Sequence, residues 1–92
     1  MQLTIKGQVV ERGKPAEFAS TYENLEALKG QKQILAIPDT TIEFIDVTPY
    51  VLTLGFIRGE NKDVLHLCPE QEYVFRHKGN AYEYIIAFAL EG

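Results

Sequence analysis

This sequence contains a single cysteine, only two histidines and no long apolar run. One cysteine cannot form a disulfide within the chain, which favours a reducing compartment, so we expect a cytoplasmic protein. The longest apolar stretch, Ile85 to Leu90, is much shorter than the about 20 residues that a membrane-spanning helix needs. The N-terminus also lacks the basic start and continuous apolar segment of a signal peptide. We therefore expect a soluble protein without a membrane partner.

Charge of one sign is not concentrated anywhere in the chain. The 13 acidic and 9 basic residues are interspersed and give a formal net charge of −4. Because nucleic-acid phosphates are bound by clustered Lys and Arg, we do not expect DNA or RNA as a partner. The sequence also has neither of the two common glycine-rich motifs that hold nucleotide phosphates.

What the sequence does contain is the composition of a globular protein, with 46% apolar and 24% charged residues. A chain of 92 residues buries only about two thirds of its unfolded surface, which is too little to divide between two cores. We therefore predict one globular domain that spans residues 1–92.

The N-terminal pattern predicts a strand and a turn. Leu3, Ile5 and Val9 alternate with polar residues, which indicates an opening strand, and Arg12 to Pro15 is typical of a turn. Gly7 interrupts the strand pattern and suggests a bulge.

A helix is predicted next. Ser20 and Glu23 have the spacing of a capping box, in which both side chains satisfy backbone amides at a helix start. This pattern predicts a short helix near residues 21–29, with Gly30 as its stop. The apolar run from Ile34 to Ile37 is then typical of a strand buried on both faces.

The second half of the chain predicts an antiparallel meander. Ile42 to Val47 is predicted as a further strand, and from Tyr50 onward apolar strand-like runs alternate with turn residues at short intervals. The last segment also fits helical spacing, with Asn80 and Glu83 as caps, but we favour a strand there. The predicted cross-strand pairs are Phe56 with Leu65, Gly55 with His66, Phe75 with Tyr82, Tyr73 with Tyr84, Cys68 with Tyr73 and His66 with Phe75.

These registers divide the side chains between two sheet faces. One face would carry Val64, His66, Cys68, Tyr73, Phe75, His77, Tyr82 and Tyr84, and the other Leu65, Leu67, Val74, Ile85 and Ala87. Since one short helix covers only one face, the other needs a curl into a barrel, a second layer or another chain. We predict an α+β fold with a mostly antiparallel, strongly curved sheet or partial barrel, one short helix near residues 21–29, and self-association into a homo-oligomer.

The Cys and His residues are the first candidates for chemistry. A metal ion would need His66, Cys68, His77 and a carboxylate such as Glu70, but their spacing matches no zinc-site signature. Cys68 is next to neither a glycine-rich loop nor a helix start, so a nucleophilic role is not indicated. We interpret Cys68 as a small core residue and predict no metal, no cofactor and no catalytic residue.

The aromatic residues give the second candidate site. A row of aromatic side chains on neighbouring strands either fills a core or forms a binding surface. The candidate residues for binding a ligand or partner are His66, Tyr73, Phe75, His77, Tyr82 and Tyr84.

Two functions follow from these patterns. The main expectation is a non-catalytic interaction module that binds a larger protein target, as small inhibitors and immunity-type proteins do. The alternative is a small-ligand binder or sequestering protein with a Tyr- and His-lined pocket, for instance at a subunit interface.

Overall fold

The structure is a computed structural model that describes all residues, 1–92. It contains eight strands and one short helix. In chain order the elements are β1 Gln2–Glu11, β2 Lys14–Tyr22, α1 Leu25–Leu28, β3 Lys32–Ile34, β4 Thr40–Val47, β5 Leu52–Arg58, β6 Asn61–Leu67, β7 Gln71–Lys78 and β8 Tyr82–Glu91. The chain is thus mostly antiparallel sheet with one short helix, as expected from the sequence.

The strands form two separate four-stranded sheets, which do not close into a barrel. Sheet A has the order β2-β1-β8-β7, and sheet B has the order β3-β4-β5-β6. Of the three ways to cover the second apolar face, the protein uses a second layer. Because α1 has only four residues, the structure contains no helix that could cross a membrane.

The two sheets share one hydrophobic core. Every second residue of the central strands points inward, as the alternation of strand side chains requires. Burial of each such large apolar side chain contributes about 1.5–3 kcal/mol. The buried strand residues are Leu3, Ile5, Val9, Tyr84, Ile86, Phe88 and Leu90 in sheet A, and Ile42, Phe44, Leu52, Leu54, Phe56, Leu65 and Leu67 in sheet B.

The first hairpin confirms the predicted turn but not the predicted bulge. Arg12 and Gly13 form a two-residue connection with φ of 53° and 75°, the left-handed conformation that favours glycine. Gly7 pairs in continuous register with Phe18 and Ile86, so no residue is inserted there. A Cβ at this position would collide with the Phe18 ring, so the glycine makes room for an aromatic side chain on the neighbouring strand.

The capping-box prediction is wrong. Ser20 and Thr21 belong to β2 and pair with Ile5 and Thr4 of β1, so their backbone groups are part of sheet A. The helix begins only after Asn24, which has φ of 52° and makes no side-chain cap. Pairing with β1 therefore outweighs the local helix signal.

The buried strand predicted at residues 34–37 is also wrong. Only Ile34 lies in β3, where its side chain is 86% exposed. Leu35 and Ile37 lie in the loop that follows β3, and the side chains of both are buried in the core. The apolar run is thus mostly a loop that covers one side of the core, and it is not a strand buried on both faces.

The strands predicted in the second half are confirmed, including β8, but their registers are wrong. Phe56 lies opposite Asp63 rather than Leu65, and Gly55 lies opposite Val64 rather than His66. In β7 and β8 the cross-strand pairs are Phe75 with Ile86, Tyr73 with Phe88 and His77 with Tyr84. Each register is displaced by an even number of residues, which leaves every side chain on its predicted side of its own hairpin.

The predicted hairpin between β6 and β7 does not exist. The two strands lie in different sheets, so Cys68 does not pair with Tyr73 and His66 does not pair with Phe75. The chain changes sheets through a turn in which the Gln71 N–H donates to the Cys68 carbonyl at 3.1 Å. Pro69 and Glu70 occupy the two central positions of this turn, and Glu70 has a φ of 68°. A type II turn favours proline at the first of these positions and requires a positive φ at the second.

Candidate functional site

Five of the six candidate residues lie together at one side of the sandwich. Tyr73, Phe75 and His77 point inward from β7, because each pairs directly with a buried residue of β8. Tyr82 and Tyr84 point to the same side from β8. We call Tyr73, Phe75, His77, Tyr82 and Tyr84 the aromatic row.

The rings at one end of the aromatic row stack on one another. The His77 and Tyr84 centroids are 5.0 Å apart at an interplanar angle of 24°, and Tyr82 and Tyr84 are 6.1 Å apart at 18°. Tyr84 is almost fully buried, whereas His77 and Tyr82 are half-buried. The stack therefore joins the core to the surface at this end of β7.

The other end of the aromatic row joins the core in a similar way. Phe75 lies 5.0 Å from Phe56 of sheet B and 4.9 Å from Tyr73, measured between ring centroids. Tyr73 is 44% exposed, Phe75 is half-buried and Phe56 is fully buried. Such aromatic pairs contribute about 0.5–1.5 kcal/mol beyond the area that they bury. This graded burial holds Tyr73 in place while leaving it accessible.

Arg58 connects the aromatic row to sheet B, and our sequence analysis missed it. Its Nη1 donates to the Tyr84 hydroxyl at 3.1 Å, and its Nη2 donates to an Asp63 carboxylate oxygen at 2.6 Å. The guanidinium carbon also lies 5.3 Å from the centre of the Phe56 ring and 6.0 Å from that of Phe75, within the range of cation–π attraction. The signal that could have identified Arg58 is its position in the alternation of β5, because it follows Leu52, Leu54 and Phe56 on the inward face.

The electrostatics of Arg58 are set by these neighbours. The hydrogen bond to Tyr84 raises the pKa of the Arg58 guanidinium above its ordinary value, burial opposes this, and Asp63 adds to the increase. Its Nε is buried without a hydrogen-bond partner, which opposes folding and is offset by the bonds of the two Nη groups. Arg58 is thus a fixed positive charge behind the aromatic row.

The sixth candidate, His66, does not join this site. It lies on the outer face of sheet B, where its Nδ1 is 3.3 Å from the Thr53 hydroxyl. Cys68 is exposed, so its interpretation as a core residue is wrong. The separation arises because β6 points its odd-numbered residues inward, whereas the predicted β6–β7 pairing had placed the even-numbered ones with the aromatic row. No three His, Cys, Asp or Glu residues of the chain come close enough together to hold a metal ion.

All members of the aromatic row except Tyr84 are at least partly accessible, because the two sides of the sandwich are closed differently. The side at β2 and β3 is covered by the two segments that flank β3, of which the first buries Leu25 and the second buries Leu35 and Ile37 in the core. At the side of β6 and β7 the chain crosses only once, through residues 68–70. The edge of β7 therefore borders solvent along its length, and its outward side chains are all exposed.

The backbone of β7 has unpaired groups at this edge. The Gly79 N–H donates to the Tyr82 carbonyl at 3.0 Å, so this pair is a hydrogen-bonded one. Since hydrogen-bonded and non-bonded pairs alternate along antiparallel strands, Phe75 and His77 bond to β8. The even-numbered residues Glu72, Val74, Arg76 and Lys78 then direct their N–H and C=O groups away from β8. We call this row of backbone groups the β7 edge.

A surface depression of about 390 Å³ lies next to the β7 edge. It opens on the outer face of sheet A, and most of its lining comes from residues that point away from the aromatic row. The lining residues are Gln8, Val10, Arg76, His77, Lys78, Glu83, Tyr84 and Ile85.

No protein-family model, curated protein or solved structure matches this chain.

Proposed function

We propose that this protein is a non-catalytic interaction module that acts by binding a larger protein target, in the manner of a small inhibitor. An extended segment of the target adds to sheet A at the β7 edge. The observation that carries this proposal is the combination, on β7, of four residues with unpaired backbone groups and of three partly or largely exposed aromatic side chains, Tyr73, Phe75 and His77.

Strand addition suits the β7 edge because backbone and side chains supply different parts of the interaction. Hydrogen bonds to Glu72, Val74, Arg76 and Lys78 would hold any extended chain, whatever its sequence. Alternate side chains of that chain would point toward Tyr73, Phe75 and His77, which can select apolar or aromatic residues. Affinity and specificity are thus supplied by different groups of the same strand.

The aromatic row is also suited to binding because it is held rigidly. Phe75 is packed on Phe56, and Tyr84 is fixed by Arg58, so little side-chain freedom remains to be lost on association. Tyrosine adds a polar tip to a large contact area, a combination that is enriched at protein interfaces.

The experiment is a selection of peptides from a random library on the native protein, followed by affinity measurements on variants. Val74→Pro removes an outward N–H without removing a hydrogen bond to β8, because proline is tolerated at sheet edges. Val74→Ala is the matched control, since it shortens the same side chain but keeps the N–H. His66→Ala is the control for the outer face of sheet B.

We expect selected peptides to bind the wild type and both controls equally. Val74→Pro should weaken binding about tenfold or more, because the interrupted edge loses main-chain hydrogen bonds. Chemical-shift changes in NMR spectra should be confined to β7, β8 and Arg58. Peptides that bind a folded Val74→Pro variant as tightly as the wild type would contradict the proposal.

A second candidate function is the binding of a small molecule beside His77. The depression of about 390 Å³ is within the size range of small-molecule sites and supports this alternative. Native mass spectrometry of gently purified protein tests it. A discrete added mass that disappears in a Lys78→Ala variant would favour the small-molecule function over strand addition.

A further inference from the structure

Strand β7 carries opposite charges at its two ends. Glu72 lies near its start, and Arg76 and Lys78 lie near its end, all three exposed. None of them has an ion-pair partner within the chain. The ion pairs of the structure join Lys29 with Asp46, Arg58 with Asp63 and Lys62 with Glu43. These three charges are therefore available to a neighbouring strand.

The charges of β7 are complementary to those of a second β7 in antiparallel orientation. Such pairing puts the start of one strand beside the end of the other, so that acidic and basic side chains meet. A parallel arrangement would instead put like charges opposite each other, which is destabilising. A second copy therefore presents basic side chains to the acidic end of β7 and an acidic side chain to its basic end.

The backbone restricts the register of this pairing. The hydrogen-bonded pairs must join even-numbered residues of both copies, because only those direct backbone groups outward, and odd-numbered residues then lie opposite odd-numbered ones in the non-bonded pairs. A pairing centred on Phe75 places Glu72 opposite Lys78 of the second copy and Val74 opposite Arg76 of the second copy. It uses all four residues of the β7 edge, whereas a pairing centred on Val74 uses only three of them.

We propose that, without its target, the protein forms a homodimer in which two β7 strands pair antiparallel about Phe75. Sheet A then continues through both copies as an eight-stranded sheet, since each copy contributes four strands. The proposal rests on the proposed function, because it assigns a second copy to the same β7 edge. A target that adds to this edge has to displace the second copy.

The other sheet edges are less suited to such pairing. Strand β2 carries Pro15, which has no N–H and interrupts edge-to-edge hydrogen bonds. Strand β3 has only three residues. Strand β6 directs Lys62, Val64 and His66 to its outer face, so a self-pairing there brings no acidic side chain to meet the Lys. The match of charge, length and available backbone is specific to β7.

The experiment is sedimentation velocity over a wide range of protein concentration. We expect the wild type to dimerise and Glu72→Lys or Lys78→Glu alone to weaken the dimer about tenfold or more, since symmetry makes each change act twice. The double variant Glu72→Lys/Lys78→Glu should restore the dimer, because the opposed charges are merely exchanged. Glu17→Lys on β2 makes the same change in net charge as Glu72→Lys but on another strand, and it should leave the dimer intact.

Three outcomes would overturn the homodimer. The wild type could remain a monomer at every concentration, the single charge variants could dimerise like the wild type, or the double variant could stay monomeric while circular dichroism shows it folded. A monomeric wild type would leave the proposed function standing, because the peptide experiment tests target binding separately. Selected peptides that bind the folded Val74→Pro variant as tightly as the wild type would overturn the proposed function, and an intact wild-type dimer would still support the homodimer.

Discussion

Arg58 and Tyr84 join the two sheets by a hydrogen bond of 3.1 Å from the guanidinium to the phenol oxygen. Arg58 ends β5 in sheet B, and Tyr84 lies near the start of β8 in sheet A. Most other contacts between the sheets are apolar and have no fixed direction. This bond does have a direction, and it fixes the position of Tyr84 behind His77 and Tyr82.

Tyr84→Phe should lower the free energy of unfolding by about 1 kcal/mol, because it removes the acceptor and leaves the ring in place. Arg58→Met should lower it at least as much, since Asp63 also loses its partner. Urea denaturation of both single variants and the double variant gives the coupling energy, which we expect to be about 0.5–1.5 kcal/mol. Strictly additive effects would show that the bond makes no contribution in solution.

Gly7→Ala should destabilise the protein by about 1–3 kcal/mol, because the added methyl group overlaps the Phe18 ring on the neighbouring strand. Thermal or urea denaturation measures the loss. Phe18→Ala is the matched background, since it removes the ring that the methyl group would meet. In that background most of the penalty of Gly7→Ala should disappear, and only the close approach of the methyl group to the Ile85 carbonyl oxygen, at 3.2 Å, would remain. An unchanged penalty there would place the cause in the backbone rather than in the ring.

Acid should weaken the fold through two ion pairs. The hydrogen bond from Lys62 lowers the pKa of Glu43 below its ordinary 4.5, and that from Lys29 lowers the pKa of Asp46 below 3.8. The native state therefore favours both carboxylates in ionised form. Their contribution to stability is complete above these ordinary values and is lost as the pH falls through the lowered ones.

Urea denaturation at a series of pH values below 5 checks this dependence. Lys62→Ala and Lys29→Ala should each flatten the fall in stability on acidification, because the native carboxylate then titrates closer to its ordinary value. Lys6→Ala, on a lysine without an ion-pair partner, should leave the slope as in the wild type. Equal slopes for all three variants would rule out these pairs as the origin.

Cys68 should react readily with a thiol reagent in the native protein, because its side chain is exposed. Cys68→Ser should change the free energy of unfolding by less than about 0.5 kcal/mol, as expected for a surface substitution. Labelling with a chromogenic disulfide, in native buffer and in denaturant, measures the accessibility. Slow native labelling that accelerates on unfolding would mean that the residue is covered in solution, for instance by a second copy.

Alternation along the strands was the most informative part of the sequence. It identified β1, and in the second half it tolerated register errors, since a shift by two or four residues preserves the facing of Phe75 and Tyr84. The sequence pattern does not indicate to which of two sheets a strand belongs. The assignment of His66 to the aromatic row failed for this reason.

The remaining errors have a common physical origin. Ser20 and Glu23 carry a sound local signal for a helix, but hairpin pairing of β2 with β1 takes the backbone groups of Ser20. Leu35 and Ile37 are apolar because a loop, not a strand, closes that side of the core. Local patterns report what a segment favours alone, whereas its final structure depends on the other segments that pair with it or pack on it.

The order of strands in the two sheets has a consequence for how the chain folds. Strands of sheet B follow one another along the chain, whereas sheet A unites the first and last strands, with Gln2 opposite Glu91. Closing so long a loop is slow compared with forming a hairpin, so sheet B should assemble first and the β1–β8 ladder last. Because those two strands already lie side by side, a circular permutant that links residue 92 to residue 1 and opens the chain at Pro69-Glu70, between the two sheets, would turn the slowest contact into a local one without dividing a hairpin. Such a chain should fold faster and give the same two sheets.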